Sequence, residues 1–275
     1  MPNVKIPTGL DLYYESHGQG EPLILVPSTA YSGEVWKPSQ MPLAKSLNLV
    51  FHDPRGCGRS IAAQAVYTIE QMAADIVALM DHLKIPSAHL LGHSMGGRIA
   101  LCLTQNFPGR VKSLIMAASG SGPAARPGSD CIAGLPHRLV VEMVEMGFEE
   151  FIRHEICASD TFFTKDYRDR HPDKVEDFFK LAWATHAKLP EFVHLCIARH
   201  NWEGTHRLAD VKAPTLVLIG EMDTIGSNHM AQSEVLLKRI PGAELKVLKD
   251  QSHGFFWQAP EETNDVILDW VIEHT

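Results

Sequence analysis

The stretch Leu90-Leu91-Gly92-His93-Ser94-Met95-Gly96-Gly97-Arg98-Ile99-Ala100-Leu101 limits the possible folds more than any other part of the chain. Strand-like apolar residues enter it, helix-like residues leave it, and a short polar segment set among glycines is all that joins them. A turn this tight needs small residues on both sides so that the flanking backbones can approach, and it holds the residue at its tip in a strained conformation. Such turns suit an open parallel sheet, where strands end and helices begin along one common edge. A helix starting at Met95 would aim its first N–H groups and its positive dipole end at whatever binds beside Ser94.

The flanking sequence fits that setting. Apolar runs over 22–28, 47–53, 88–94 and 111–119 read as strands; helical patterns near 68–84 and 95–107, and a turn-rich segment from Gly33 to Ser46, lie between them. Continuously apolar strands between helices predict a mostly parallel sheet covered on both faces. In the helix from Thr68, the positions Ile69, Met72, Ala73, Ile76, Val77, Met80 and Leu83 keep a 3.6-residue period, and Thr68 with Gln71 forms a capping-box pattern. After Ser119 the Gly/Pro-rich break at 120–130 opens about ninety residues with helical patterns over Leu135–Met146, Glu149–Cys157, Asp173–His186 and Pro190–Trp202 and no strand-like run. Strand and helix alternate again from 213–223, through a helix near Met230–Ile240 and a strand over 243–250, to a closing helix from Pro260. The expectation is an α/β core of eight strands formed by 1–119 and 213–275, with a helical insertion, 120–212, after the sixth strand.

Composition narrows the partners. The 275 residues carry a net charge of −8 and no Lys/Arg run, which argues against nucleic acid or an anionic membrane surface as a partner. Cys57, Cys102, Cys131, Cys157 and Cys196 are odd in number and widely spaced, which suits a reducing compartment better than a disulfide framework. The first eighteen residues lack a signal-peptide pattern, and no run reaches the ~18 apolar residues of a membrane span, so a cytoplasmic protein is expected. His154-Glu155 does not open an H-E-x-x-H motif, and neither G-x-G-x-x-G nor a Walker loop occurs, so no metal and no cofactor are expected. His171, His186, His194, His200 and His206 in the insertion read as solvated helix-face residues. Nothing in the sequence fixes the oligomeric state.

Gly92, Ser94 and Gly96 spell G-x-S-x-G, the pattern of a serine held on a strand-to-helix turn. A serine hydroxyl attacks only when a base takes its proton, and the base needs a third group to hold its tautomer. Asp223 lies just beyond the strand of 213–223 and His253 just beyond the next one, which brings both to the edge that carries Ser94. Glu221, two residues before Asp223, competes for the role of the acid.

Four strings together, Gly92-His93-Ser94-Met95-Gly96-Gly97, 53–60 (DPRGCGRS), Gly220-Glu221-Met222-Asp223 and Ser252-His253-Gly254, resemble the α/β-hydrolase fold superfamily. The chain looks most like its esterases, enol-lactonases, non-haem perhydrolases and proline iminopeptidases, over nearly its whole length, with the insertion where the family has a helical cap. The resemblance implies a cofactor-free serine hydrolase acting on a small to medium, mainly apolar carboxylic ester or lactone. It assigns Ser94 as nucleophile, His253 as base, Asp223 as acid and the Met95 N–H as one oxyanion donor. The second donor belongs to the loop Val26-Pro27-Ser28-Thr29-Ala30-Tyr31-Ser32-Gly33, where relatives commonly show His-Gly; counting back from Gly33 places it at Thr29. Ser28, Trp36 and Phe255 are expected to contact substrate, and Asp53 with Arg55 to brace one another. Gly254 stands where C–C bond hydrolases carry tryptophan, and Pro27-Ser28-Thr29 where proline iminopeptidases carry an HGGPG-type loop. Two alternatives stay open: perhydrolysis or acyl transfer on the same residues, and a ligand-sensing receptor with very slow turnover.

Overall fold

A computed structural model describes residues 3–62, 67–123, 131–132, 135–224 and 229–275. The chain opens with β1 (Asn3–Ile6), β2 (Leu10–His17) and β3 (Glu21–Val26), followed by the short helix α1 (Lys37–Gln40), β4 (Leu47–His52) and the two-residue β5 (Ile61–Ala62). Then come α2 (Ile69–His82), β6 (Ala88–His93), α3 (Met95–Asn106) and β7 (Val111–Ala117). Beyond β7 lie the pair β8 (Cys131–Ile132) and β9 (Leu135–Pro136) and the helices α4 (His137–Met146), α5 (Phe148–Cys157), α6 (Lys165–Arg170), α7 (Pro172–Ala184) and α8 (Leu189–Asn201). The chain closes with β10 (Thr215–Gly220), α9 (His229–Arg239), β11 (Glu244–Leu248), α10 (Phe255–Gln258) and α11 (Pro260–Glu273).

Eight strands form the path β1-β2-β4-β3-β6-β7-β10-β11, and β5 adds a ninth by pairing with β2. Pairings from β4 through β3, β6, β7 and β10 to β11 are all parallel, while β1 with β2 and β2 with β4 are antiparallel. Every residue of β6 and of β10 is buried, as near-continuous apolar runs require when helices cover both faces of a sheet. At one end of α2, Thr68 Oγ1 accepts the Gln71 N–H at 3.1 Å, and Ile69, Met72, Ala73, Ile76, Leu79 and Met80 turn inward. One buried apolar cluster runs from the sheet into the helices between β7 and β10, where it takes in Phe151, Phe163, Phe179 and Leu195.

Several short elements differ from the reading of the sequence. Six-residue α6 is too short to show a period, yet Thr164 caps it, accepting the Tyr167 N–H at 3.3 Å. The pair β8–β9 lies where no strand was expected, and α10 forms beside the closing helix. Among the described residues no helix is long and apolar enough to cross a membrane. Cys57, Cys102, Cys157 and Cys196 are free thiols.

The loop after β4 also departs from expectation, because Asp53 and Arg55 do not brace each other. Arg55 is fully buried and points at α2, where its Nε and Nη2 donate to the two carboxylate oxygens of Asp75, each at 2.7 Å, and Nη2 also reaches the Thr8 carbonyl at 3.0 Å. Asp53 instead accepts the Gly33 N–H at 3.0 Å and the Arg59 N–H and Nε, each at 2.8 Å. A fork-shaped guanidinium and a carboxylate held in two parallel bonds satisfy each other out of water, and loss of one partner strands the other charge. Arg55→Met is therefore expected to lower folding stability by about 3–5 kcal/mol, read as a shift of the urea unfolding midpoint.

Candidate active site

Ser94 sits between β6 and α3 with φ 55° and ψ −116°, a conformation that side-chain-bearing residues rarely adopt. Two glycines make room for it. A Cβ on Gly92 would lie 2.3 Å from the Gly96 carbonyl oxygen, and one on Gly96 would lie 2.1 Å from the Val26 carbonyl oxygen, so neither position accepts even alanine without backbone movement. The turn is held from β7, whose Ala117 carbonyl accepts the Ser94 N–H at 2.8 Å, and by Ser119 Oγ, which donates to the Ser94 carbonyl at 2.6 Å.

Ser94 lines a cavity of about 180 Å³ together with Ser28, Thr29, Met95 and His253. Asp223 stands behind His253, its Oδ2 2.8 Å from Nδ1, and both side chains are buried. Burial first, then the positive charge of Arg199, pulls the His253 pKa below its ordinary value. The Asp223 carboxylate pulls the other way, as a close opposite charge must. The balance keeps the imidazole neutral, the form able to accept a proton. Glu221, the other carboxylate considered for this place, is exposed and accepts the Asp250 N–H at 3.2 Å.

The His253 backbone is fixed from three sides. His93 Nε2 donates to its carbonyl at 3.1 Å, while the Gly254 N–H and Ser252 Oγ both donate to the Phe162 carbonyl, at 2.7 and 2.6 Å. His93 carried no signal beyond its place before Ser94. It is wholly buried among Trp36, Phe255, Phe256 and Trp257, and its pKa is driven well down by that burial, so it stays uncharged.

Met95 opens α3, so its N–H lies in the first helical turn, where no intrahelical acceptor exists. Thr29 lies in the loop after β3, next to Ala30, which has φ 69°. Its hydroxyl accepts Arg199 Nη1 at 3.2 Å, which joins this loop to α8.

The structure does not bring Trp36 and Phe255 to the cavity. Trp36 is fully buried, edge-on to Phe256 with ring centres 4.9 Å apart and stacked on Trp257 at 6.1 Å; Phe255 is fully buried beside Phe256 at 4.4 Å. Their apolar area went to the packing beneath His93. The cavity's apolar wall comes from elsewhere, from Leu139, Phe151, Ile152, Ile156, Phe162 and Phe192. His186 is likewise not a solvated helix-face residue: it follows α7, lines the cavity, stacks on Trp183 and donates from Nδ1 to the Ala187 carbonyl at 2.7 Å. Burial lowers its pKa to about 4. Among the described residues one set of side chains, Asp223, His229 and His253, has donor atoms within 4.8 Å of one another and could hold a metal ion. An ion there would compete for the His253 imidazole.

Residues 21–260 match the family model of the alpha/beta hydrolase fold, and the chain belongs to this family. It is 25% identical over 276 residues to a 2-hydroxy-6-oxononadienedioate/2-hydroxy-6-oxononatrienedioate hydrolase of Escherichia coli, with 95% of this chain and 91% of that one covered. Among solved structures, the enol-lactonase from Burkholderia xenovorans LB400 superposes with a TM-score of 0.81 at 26% identity, covering 99% of each chain. A thermophilic esterase from Thermogutta terrifontis reaches 0.83 at 26% identity, covering all of both. The protein is an enzyme of the α/β-hydrolase fold, a hydrolase among esterase- and lactonase-type relatives.

Proposed function

We propose that the protein hydrolyses a small carboxylic ester or lactone through an acyl-enzyme on Ser94. One observation carries this reading: Ser94, on a strained turn, opens into the same cavity as His253, and Asp223 lies 2.8 Å from the far nitrogen of that imidazole. In the proposed reaction Ser94 Oγ attacks the carbonyl carbon as His253 Nε2 takes its proton, and Asp223 holds Nδ1–H so that Nε2 is the free nitrogen. The carbonyl oxygen becomes an oxyanion held by the N–H groups of Met95 and Thr29. As the C–O bond breaks, His253 returns the proton to the departing alkoxide. Water, deprotonated by His253, then attacks the acyl-enzyme and frees Ser94. We read 120–212 as a cap over a core of 1–119 and 213–275; in support, Leu139, Phe151, Phe162 and Phe192 supply the apolar wall. The tests are a screen of p-nitrophenyl esters of graded length with a few lactones, and labelling by a fluorophosphonate. Turnover with label on Ser94 is the expected result, and label on another serine would overturn the assignment.

The place of Thr29 is tested by a pair of substitutions. Thr29→Ala keeps the backbone N–H and is expected to retain most of kcat. Thr29→Pro removes that N–H and is expected to lower kcat on the order of 10²–10³-fold, the effect of deleting one oxyanion donor. Proline also restricts Ser28, so circular dichroism accompanies the rates. Equal damage from both would make the hydroxyl, through its bond to Arg199, the group that matters; no damage from either would place the second donor elsewhere.

A further inference from the structure

Two guanidinium groups border the cavity that holds Ser94. Arg199, on α8, lines it and donates to the Thr29 hydroxyl at 3.2 Å, and its charge is felt at His253. Arg98, on α3 four residues beyond Ser94, lines it as well, is 6% exposed, and donates from Nη1 to the Arg199 carbonyl. The two basic residues are thus linked to each other, and Arg199 is linked to the loop proposed to hold the oxyanion. The apolar wall comes from Phe151, Ile152 and Ile156 on α5, from Phe162 in the segment after it, and from Phe192 on α8 itself. Glu155 is the acidic residue among the described residues that line the cavity, and burial raises its pKa.

We propose that Arg199, backed by Arg98, binds a carboxylate of the substrate, so that the ester or lactone cleaved at Ser94 carries an anionic group within a few bonds of the scissile carbonyl. The inference rests on the ester or lactone reading above and narrows its substrate from mainly apolar to apolar with one acidic end. A guanidinium at a partly dry wall binds a planar carboxylate well because its N–H donors match both oxygens while charge compensates charge. The link to Thr29 gives the reason for the short distance between the two groups: a carboxylate on Arg199 lies close to the loop over the reacting carbonyl. The same positive charge aids the negative charge that builds on the oxyanion. An apolar segment of substrate then extends toward the phenylalanines.

A matched pair of substrates tests this. Methyl butyrate and monomethyl succinate differ in that a carboxylate replaces the terminal methyl. With the full-length enzyme and a pH-stat assay, kcat/KM is expected to favour monomethyl succinate. Arg199→Gln is expected to lower the ratio of the two kcat/KM values by about 10–100-fold, the worth of a charge-assisted hydrogen bond, mainly through KM for the anionic ester. Arg199→Lys, which keeps the charge but loses the fork, is expected to retain part of the ratio. A ratio that Arg199→Gln leaves unchanged, or a wild-type preference for methyl butyrate, overturns the proposal and makes Arg199 a tie between α8 and the Thr29 loop. Calorimetric titration of the Ser94→Ala protein with each ester separates this from failure of the hydrolase reading. Binding that favours monomethyl succinate and is lost in Ser94→Ala/Arg199→Gln supports the anion site whatever group does the chemistry; equal binding of both esters overturns it.

Discussion

Replacement of Ser94 by alanine is expected to abolish fluorophosphonate labelling and to lower kcat by on the order of 10⁴–10⁶-fold, as loss of a nucleophile does when base and acid have nothing left to activate. The residual rate would come from substrate binding and from the N–H groups around the oxyanion. Folding is expected to survive, because the turn is shaped by Gly92, Gly96 and the bonds from Ala117 and Ser119, and none of these uses the Ser94 hydroxyl. The measurements are steady-state kinetics on the best ester found, mass-spectrometric location of the label, and circular dichroism. Full activity in the variant would remove Ser94 from the mechanism altogether.

The second large effect is expected at Asp223. Asp223→Asn preserves size and shape but can turn an amide N–H toward Nδ1 of His253, which favours the tautomer with its proton on the nitrogen facing Ser94. kcat is expected to fall on the order of 10²–10⁴-fold while KM changes little. Glu221→Gln serves as the control, since Glu221 faces solvent and the Asp250 backbone and should leave kcat near its wild-type value. The reverse ranking would move the acid to Glu221.

The strands and the longer helices could be read from the chain because each is specified locally. Six buried residues in succession mark β6 and β10, and a 3.6-residue period with a threonine cap marks α2. That Ser94, Asp223 and His253 would lie near one another was legible for a related reason: each follows a strand end, and parallel strands deliver their ends to one edge. What stayed hidden depends on contacts across the fold. Arg55 could have turned to Asp53, two residues away; only the packing of α2 on the first strands shows that Asp75 is its partner. Trp36 and Phe255 look like cavity residues in a string of letters, yet the space beneath His93 had to be filled and they fill it. Arg199 and His186 carried no motif. Their places at the cavity come from where α8 and the end of α7 settle against the loop of Thr29 and Tyr31.

The two bonds that the Phe162 carbonyl accepts from Ser252 and Gly254 have a consequence for how this enzyme can be changed. They flank His253, so the segment between α5 and α6 is part of the mounting of the imidazole. The helices between β7 and β10 are therefore not an interchangeable module. Exchanging them for the corresponding stretch of a relative, to alter what is cleaved, would also exchange the anchor that keeps the imidazole in place. On the proposed reaction, a chimera is expected to lose rate unless a carbonyl is supplied at the same point. Single substitutions on the cavity wall leave that anchor intact, whereas replacement of the helices that carry the wall does not.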